Sequence, residues 1–191
     1  MVENIIEIDK ALFLFLNGIH NAFFDSVMWQ ISGKAIWIPL YIVILYGLFK
    51  RTGKQFIWVF IAVVFAVAAA DLISVHAFKN VFERFRPTHT PEFQQLVHTV
   101  NNYKGGLYGF VSSHAANSFA LAVISGLFFQ KKQITYALIV WACLVSYSRI
   151  YLGVHFPADI VCGALLGSMI AYLVYILFQQ VFKIKASVFP K

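Results

Sequence analysis

Residues 56–78 read FIWVFIAVVFAVAAADLISVHAF, and Asp71 and His76 are the only ionisable side chains in the run. A helix needs about 20 predominantly apolar residues to cross a bilayer, and this stretch supplies them. Working outward, four more runs share its character: about 27–49, which contains WIPLYIVILYGLF, then about 113–129, 134–147 and 157–182. The run at 134–147 is short and can extend to Leu152. The pattern predicts an all-α protein, a polytopic transmembrane helical bundle of about five spans. Ahead of the spans, Ile5, Ile8, Leu12, Phe15 and Ile19 recur at three- and four-residue steps, while Glu3, Glu7 and Asp9 make the segment a poor span. Residues 1–24 therefore read as an N-terminal interfacial helix region. A sixth, very short span through ALFLFL at 11–16 is the alternative.

Composition agrees. Of 191 residues, 60% are hydrophobic and 12% charged, against about 45–50% and about 25% in soluble domains. Mean hydropathy is +0.75. A soluble globular enzyme, a disordered chain and a collagen-like chain do not fit these values. A net charge of +7 suggests nucleic acid, but the Lys and Arg residues are scattered between apolar runs, so no nucleic-acid partner is expected. Cys143 and Cys162 lie in apolar runs, where a thiol behaves as a small hydrophobe. The N-terminus, MVENIIEIDK, is acidic where a cleaved signal needs a basic region. Linkers and repeats are absent, and residues 1–191 read as a single domain.

The charge sorts across the membrane. Lys50, Arg51, Lys54, Lys131, Lys132, Lys183, Lys185 and Lys191 fall on one side, with no Asp or Glu. The other side holds seven basic residues and all eight acids. The positive-inside rule makes the first side cytoplasmic, with the C-terminus inside and the N-terminus outside. Residues 79–111 then form a long outer loop, and the turn 148–156 emerges beside it.

Three clusters on that outer side carry chemistry. The first is Lys79-NVFERF-Arg86-Pro87, the second Val111-Ser112-Ser113-His114, and the third Ser148-Arg149-IYLGV-His155-FPA-Asp159. Lys79, Arg86 and Arg149 converge beside a bilayer and suit a phosphoryl group. Ser112 and the N–H groups that open the helix after it add neutral donors. Pro157 fits the first turn of a helix, which puts His155 and Asp159 on one face. A carboxylate on one imidazole nitrogen leaves the other free to attack. His114 could protonate a departing alkoxide. The set describes transfer of a phosphoryl group to His155 and hydrolysis of the phosphohistidine. Two-metal catalysis needs several clustered carboxylates or histidines, so neither metal nor other cofactor is expected.

These clusters resemble the signature of the type 2 phosphatidic acid phosphatase superfamily: Lys, six residues, Arg-Pro; then Pro-Ser-Gly-His; then Ser-Arg, five residues, His, three residues, Asp. The first and third match at every specified position. The resemblance implies a metal-independent helical-bundle phosphatase acting on membrane lipid phosphates or diphosphates. It implies His155 as nucleophile, Asp159 as its support and His114 as acid, with Lys79, Arg86, Ser112, the Ser113 N–H and Arg149 holding phosphate. Val111 in place of Pro and Ser113 in place of Gly depart from the second motif, and the Ser113 side chain narrows the phosphate's approach.

Size and span count are similar to bacterial inner-membrane members acting on undecaprenyl diphosphate, phosphatidylglycerophosphate or lipid A. Undecaprenyl diphosphate is the first choice, with an active site on the periplasmic or extracellular side. A vanadate-dependent haloperoxidase and a silent lipid-binding or lipid-transport protein are the rivals, and oligomeric state stays open. Singly, Lys79, Arg86 and Arg149 fit interfacial anchors, and together they fit an anion site. Asp71 is a functional candidate by its depth, with pairing inside the bundle the blander reading. Glu83, Arg84 and Lys104 contact a headgroup or face water, and His20, His76, His89 and His98 receive no role.

Overall fold

In the structure, a computed structural model that describes residues 2–184, regular secondary structure among the described residues is helical. Lys185 and Lys191, counted above with the cytoplasmic charge, lie outside the described residues. Helix α1 (Val2–Gly18) meets α2 (Ala22–Ser32) at a bend of 115°. Asn21 makes the corner, its side chain accepting the Phe24 N–H at 2.9 Å as an N-cap. The exposed stripe Ile5, Ile8, Leu12 and Phe15 faces away from the protein, while Asp9, Phe13 and Asn17 are buried at four-residue steps. The amphipathic pattern is thus real, and its polar side is built into the fold.

The apolar run at 27–49 is not continuous. Helix α2 ends at Ser32, and α3 (Ile38–Thr52) starts with Pro39 in its first turn. Gly53, at a φ of +55°, separates α3 from α4 (Phe56–Ile73). A π-turn, Ser74–Lys79, and a last turn α5 (Asn80–Phe82) prolong α4. Lys79 therefore stands on a helix, and the outer loop begins after Phe82 rather than at 79, because the π-turn keeps the backbone hydrogen-bonded. Helices α6 (Ser113–Phe129), α7 (Lys132–Tyr151) and α8 (Pro157–Phe182) follow.

Helix α6 is the axis of the bundle, packing against α4, α7 and α8. Its Ala115, Ala116, Ala120 and Ala122 are fully buried. On α8, a Cβ on Gly167 would stand 2.0 Å from the Ala116 carbonyl oxygen, and one on Gly163 would stand 2.6 Å from that of Ser112. Small residues at both positions let the helices cross backbone to backbone, the usual device where lipid supplies no hydrophobic drive between helices. The outer surfaces are apolar and open, as at Ile42, Tyr46, Val64, Phe65, Leu165 and Leu173. Among the described residues, three helical stretches, Ala35–Phe82, Lys132–Tyr151 and Pro157–Phe182, are long and apolar enough to cross a membrane, or four if the bent α1–α2 pair is one span, and α6 is shorter at 17 residues. The chain is an integral membrane protein.

The long loop folds back over the ends of α6 and α8. Arg86 N–H donates to the Leu107 carbonyl at 3.1 Å and Gly109 N–H to that of Arg84 at 2.8 Å. An isolated antiparallel bridge joins Phe85 to Tyr108 between them. These bonds set Arg84 and Arg86 above the start of α8. Gly109 keeps the approach close: a Cβ would stand 3.1 Å from Asp159 Oδ2 and 3.2 Å from Arg86 Cγ, tight enough that these side chains would have to shift.

Candidate active site

The start of α8 forms around Asp159. Its Oδ2 accepts the Phe156 N–H at 3.0 Å, capping the helix that Pro157 opens. The same oxygen lies 3.2 Å from His155 Nδ1, and both side chains are buried. On the far side of the ring, Arg86 Nη1 lies 2.9 Å from His155 Nε2 and also donates to the Val154 carbonyl at 2.9 Å. A guanidinium can only donate, so Nε2 is the accepting nitrogen and Nδ1 carries the proton toward Asp159. Burial first, and then Arg86, Arg149 and Lys79, hold the His155 imidazole well below its ordinary pKa. The result is a neutral ring whose free lone pair points at a cation.

Nitrogen-15 NMR of labelled protein in detergent checks this, with His155→Gln identifying the signal. His155 should be neutral and Nδ1-protonated at pH 6.5, where an ordinary imidazole is about half charged. An imidazolium already formed at pH 6.5 would contradict the geometry.

The cations approach from three elements. Lys79, on the π-turn, donates to Ser113 Oγ at 2.5 Å, and that oxygen is 2.7 Å from Ser74 Oγ. The Ser113 side chain is thus turned toward Lys79 and Ser74. Arg149, at the end of α7, is buried, bonded to the Ser32 hydroxyl and 3.3 Å from the Tyr103 hydroxyl. The Nε atoms of Arg86 and Arg149 are both buried without a hydrogen-bond partner. Both arginines line one crevice with Lys79, and three cations gathered there suit an anion.

That crevice has a volume of about 710 Å³. Lys79, Arg86, Ser113, His114, Arg149 and His155 line its polar end, and Tyr41, Val64, Leu121 and Trp141 line its apolar part. The shape suits a phosphate with a lipid attached. Asp159 stands behind His155. Ser112 does not line the crevice: it is fully buried, and its hydroxyl caps α6 at the Ala115 N–H, 3.5 Å away. Among the described residues, no group of three or more His, Cys, Asp or Glu is placed to hold a metal.

Sequence reading missed what lies behind Asp159. Arg84 Nη1 donates to Asp159 Oδ1 at 2.9 Å and Nη2 to Asp9 Oδ2 at 2.6 Å. Asp9 also accepts the Ala158 N–H at 2.8 Å, and the Arg84 guanidinium lies 4.3 Å from the centre of the Phe156 ring. Helix α1 is tied in this way to the carboxylate that orients His155. The available signal was Arg84 two positions before Arg86. Of the histidines given no role, His98 pairs with Asp25 at 2.8 Å and stacks on His20 at 3.7 Å, and none of the four lines the crevice.

The profile described as PAP2 superfamily matches residues 57–183. A lipid A 4'-phosphatase of Porphyromonas gingivalis is 39% identical over 91% of this chain and 74% of its own length. An undecaprenyl-diphosphatase of Sulfolobus acidocaldarius is 31% identical over 90% of this chain and 79% of its own. The crystal structure of a transmembrane PAP2 type phosphatidylglycerolphosphate phosphatase from Bacillus subtilis superposes with a TM-score of 0.71 at 24% identity, covering 93% of this chain and 88% of that one. This last likeness speaks for the fold.

Proposed function

The chain belongs to the PAP2 superfamily of metal-independent phosphate-ester hydrolases, as an integral membrane lipid phosphatase, and from that premise we propose that it removes phosphate from a lipid A-type substrate. The sequence reading prefers undecaprenyl diphosphate. Identity of 39% to the lipid A 4'-phosphatase, against 31% to the undecaprenyl-diphosphatase, supports reversing that order. The observation that carries the reading is that Lys79, Arg86 and Arg149 line one crevice with a neutral histidine held by a carboxylate.

In the proposed reaction the phosphate enters between Lys79, Arg86 and Arg149, and Arg86 exchanges its bond with His155 Nε2 for one with a phosphate oxygen. The Nε2 lone pair attacks phosphorus, and the bond to the lipid oxygen breaks as His114 donates a proton to it. Asp159 holds Nδ1–H and stabilises the charge that grows on the ring. Water, deprotonated by His114, then attacks the phosphohistidine, releasing inorganic phosphate and restoring His155. The fixed cations neutralise the transferring group in a site shielded from bulk water. The N–H groups of Ser113 and His114 are the remaining donors of this scheme, since that of Ser112 already bonds the Asp159 carbonyl at 3.0 Å.

The proposed topology has five crossings, α3, α4, α6, α7 and α8, with α1 and α2 at the outer interface. Gly53 between α3 and α4, and the basic residues Lys50, Arg51, Lys54, Lys131 and Lys132 at the opposite end from His155, support it. The site then faces the periplasm or exterior of a bacterial inner membrane, with the C-terminus inside.

A panel assay tests the substrate. Purified protein in detergent with EDTA is given lipid A, undecaprenyl diphosphate and phosphatidylglycerophosphate, and inorganic phosphate is measured. Release should be fastest from lipid A and insensitive to EDTA. Lipid binding without release from any of the three would overturn the reading.

A further inference from the structure

Helix α4 carries one ionisable residue, Asp71, in an otherwise apolar stretch. A charge at membrane depth is retained where it faces a partner or a polar cavity. Asp71 has both. It lines the crevice that holds His155, and Asn117 Nδ2 donates to its Oδ1 at 2.8 Å. Asn117 lies three residues after His114 on α6 and shares its face. Asp71 lies eight residues before Lys79, about 12 Å down the helix axis by the usual rise. The pair thus sits beyond the phosphate site, on the route that the body of the substrate must take.

Its unused capacity accepts rather than donates. Asp71 is exposed and its Oδ2 has no hydrogen bond among those of the described residues, while Asn117 Oδ1 is unpartnered but closed off, so Asp71 is the acceptor that a ligand meets first. Such oxygens call for hydroxyl or amide N–H donors on the ligand. A polyprenyl chain offers none and would leave them unsatisfied against hydrocarbon. A second phosphate close by would meet the Asp71 carboxylate as a like charge. An acylated amino sugar joined to the phosphate offers hydroxyls and an amide N–H at the right remove, and its acyl chains can pass along the apolar wall.

We propose that Asp71 and Asn117 form a subsite for the hydroxyl and amide donors of an acylated amino sugar, and that it sets the preference for such phosphates over polyprenyl diphosphates. This rests on the phosphatase reading above. The test compares kcat/KM for lipid A and for undecaprenyl diphosphate, in the same detergent micelles, across wild type, Asp71→Leu, Asp71→Asn and Asn117→Ala. The lipid A to undecaprenyl diphosphate ratio should fall roughly 10- to 50-fold in Asp71→Leu, as expected for losing a hydrogen bond to a charged group. Asp71→Asn, which keeps one acceptor, should lie between. Thermal melts and gel filtration report that the variants remain folded. An unchanged ratio in the folded variants, whether both activities persist or fall together, overturns the subsite. Absence of release from every lipid by wild type overturns the phosphatase reading itself, and the subsite with it.

Discussion

His155→Ala is expected to lower phosphate release from every lipid substrate by on the order of 10⁴-fold or more, the scale seen when an enzyme loses its nucleophile. The side chain is buried at the mouth of α8, and its interactions are with Asp159 and Arg86. Removing it opens a small cavity but leaves the helix capped, because the Phe156 N–H still bonds Asp159. The variant should therefore express, bind detergent and melt much as wild type does. Phosphate assays over long incubations, with a thermal melt as control, give the comparison. Residual turnover within tenfold of wild type would remove His155 from the reaction.

Arg84→Ala is expected to lower kcat by on the order of 10²- to 10³-fold while KM changes little. Arg84 touches Asp159 and does not line the crevice, so it acts by positioning. Asp159 is fully buried, and taking away a cation partner leaves its carboxylate short of compensation. Without it, Asp159 Oδ1 is free to turn and the hold on His155 Nδ1 loosens. Arg84→Lys should recover part of kcat by restoring charge without the two-pronged reach to Asp9. Asp9→Ala combined with Arg84→Ala should cost less than the sum of the two, since one network is being removed. A purely structural role would instead lower the melting temperature and leave kcat per folded molecule unchanged.

The contrast between these two residues shows what the sequence discloses. His155 and Asp159 stand four apart where α8 begins, so local periodicity places them together, and Arg149 closes α7 just before the same turn. Lys79 and Arg86 precede them on the same face of the membrane, and charge sorting alone brings them near. The apolar runs disclose most helices for the same reason, since a bilayer demands length and hydropathy. Asp9 lies midway along α1 and Arg84 lies beyond α5, and their pairing depends on how the N-terminal helix docks. A carboxylate on the polar side of an amphipathic helix reads as facing headgroups, and no pattern in one sequence says that it is buried.

Ser113 is a second case. Its side chain in place of a glycine suggests an obstruction, whereas the neighbouring Ser74, brought close by the π-turn, gives the hydroxyl a partner away from the phosphate. The π-turn also lengthens α4 past the point where hydropathy alone would end it. Asp71 was visible as an anomaly of depth, but only the position of Asn117 one turn beyond His114 gives it a direction.

In the proposed reaction, phosphate passes through a bond to His155 Nε2. Single turnovers with lipid A radiolabelled at the departing phosphate, quenched in alkali where phosphohistidine survives, address it directly. Label should appear transiently on the peptide containing His155 in wild type and never in His155→Ala. Release of labelled phosphate at full rate by wild type, with no label on the protein at any time, would contradict the account.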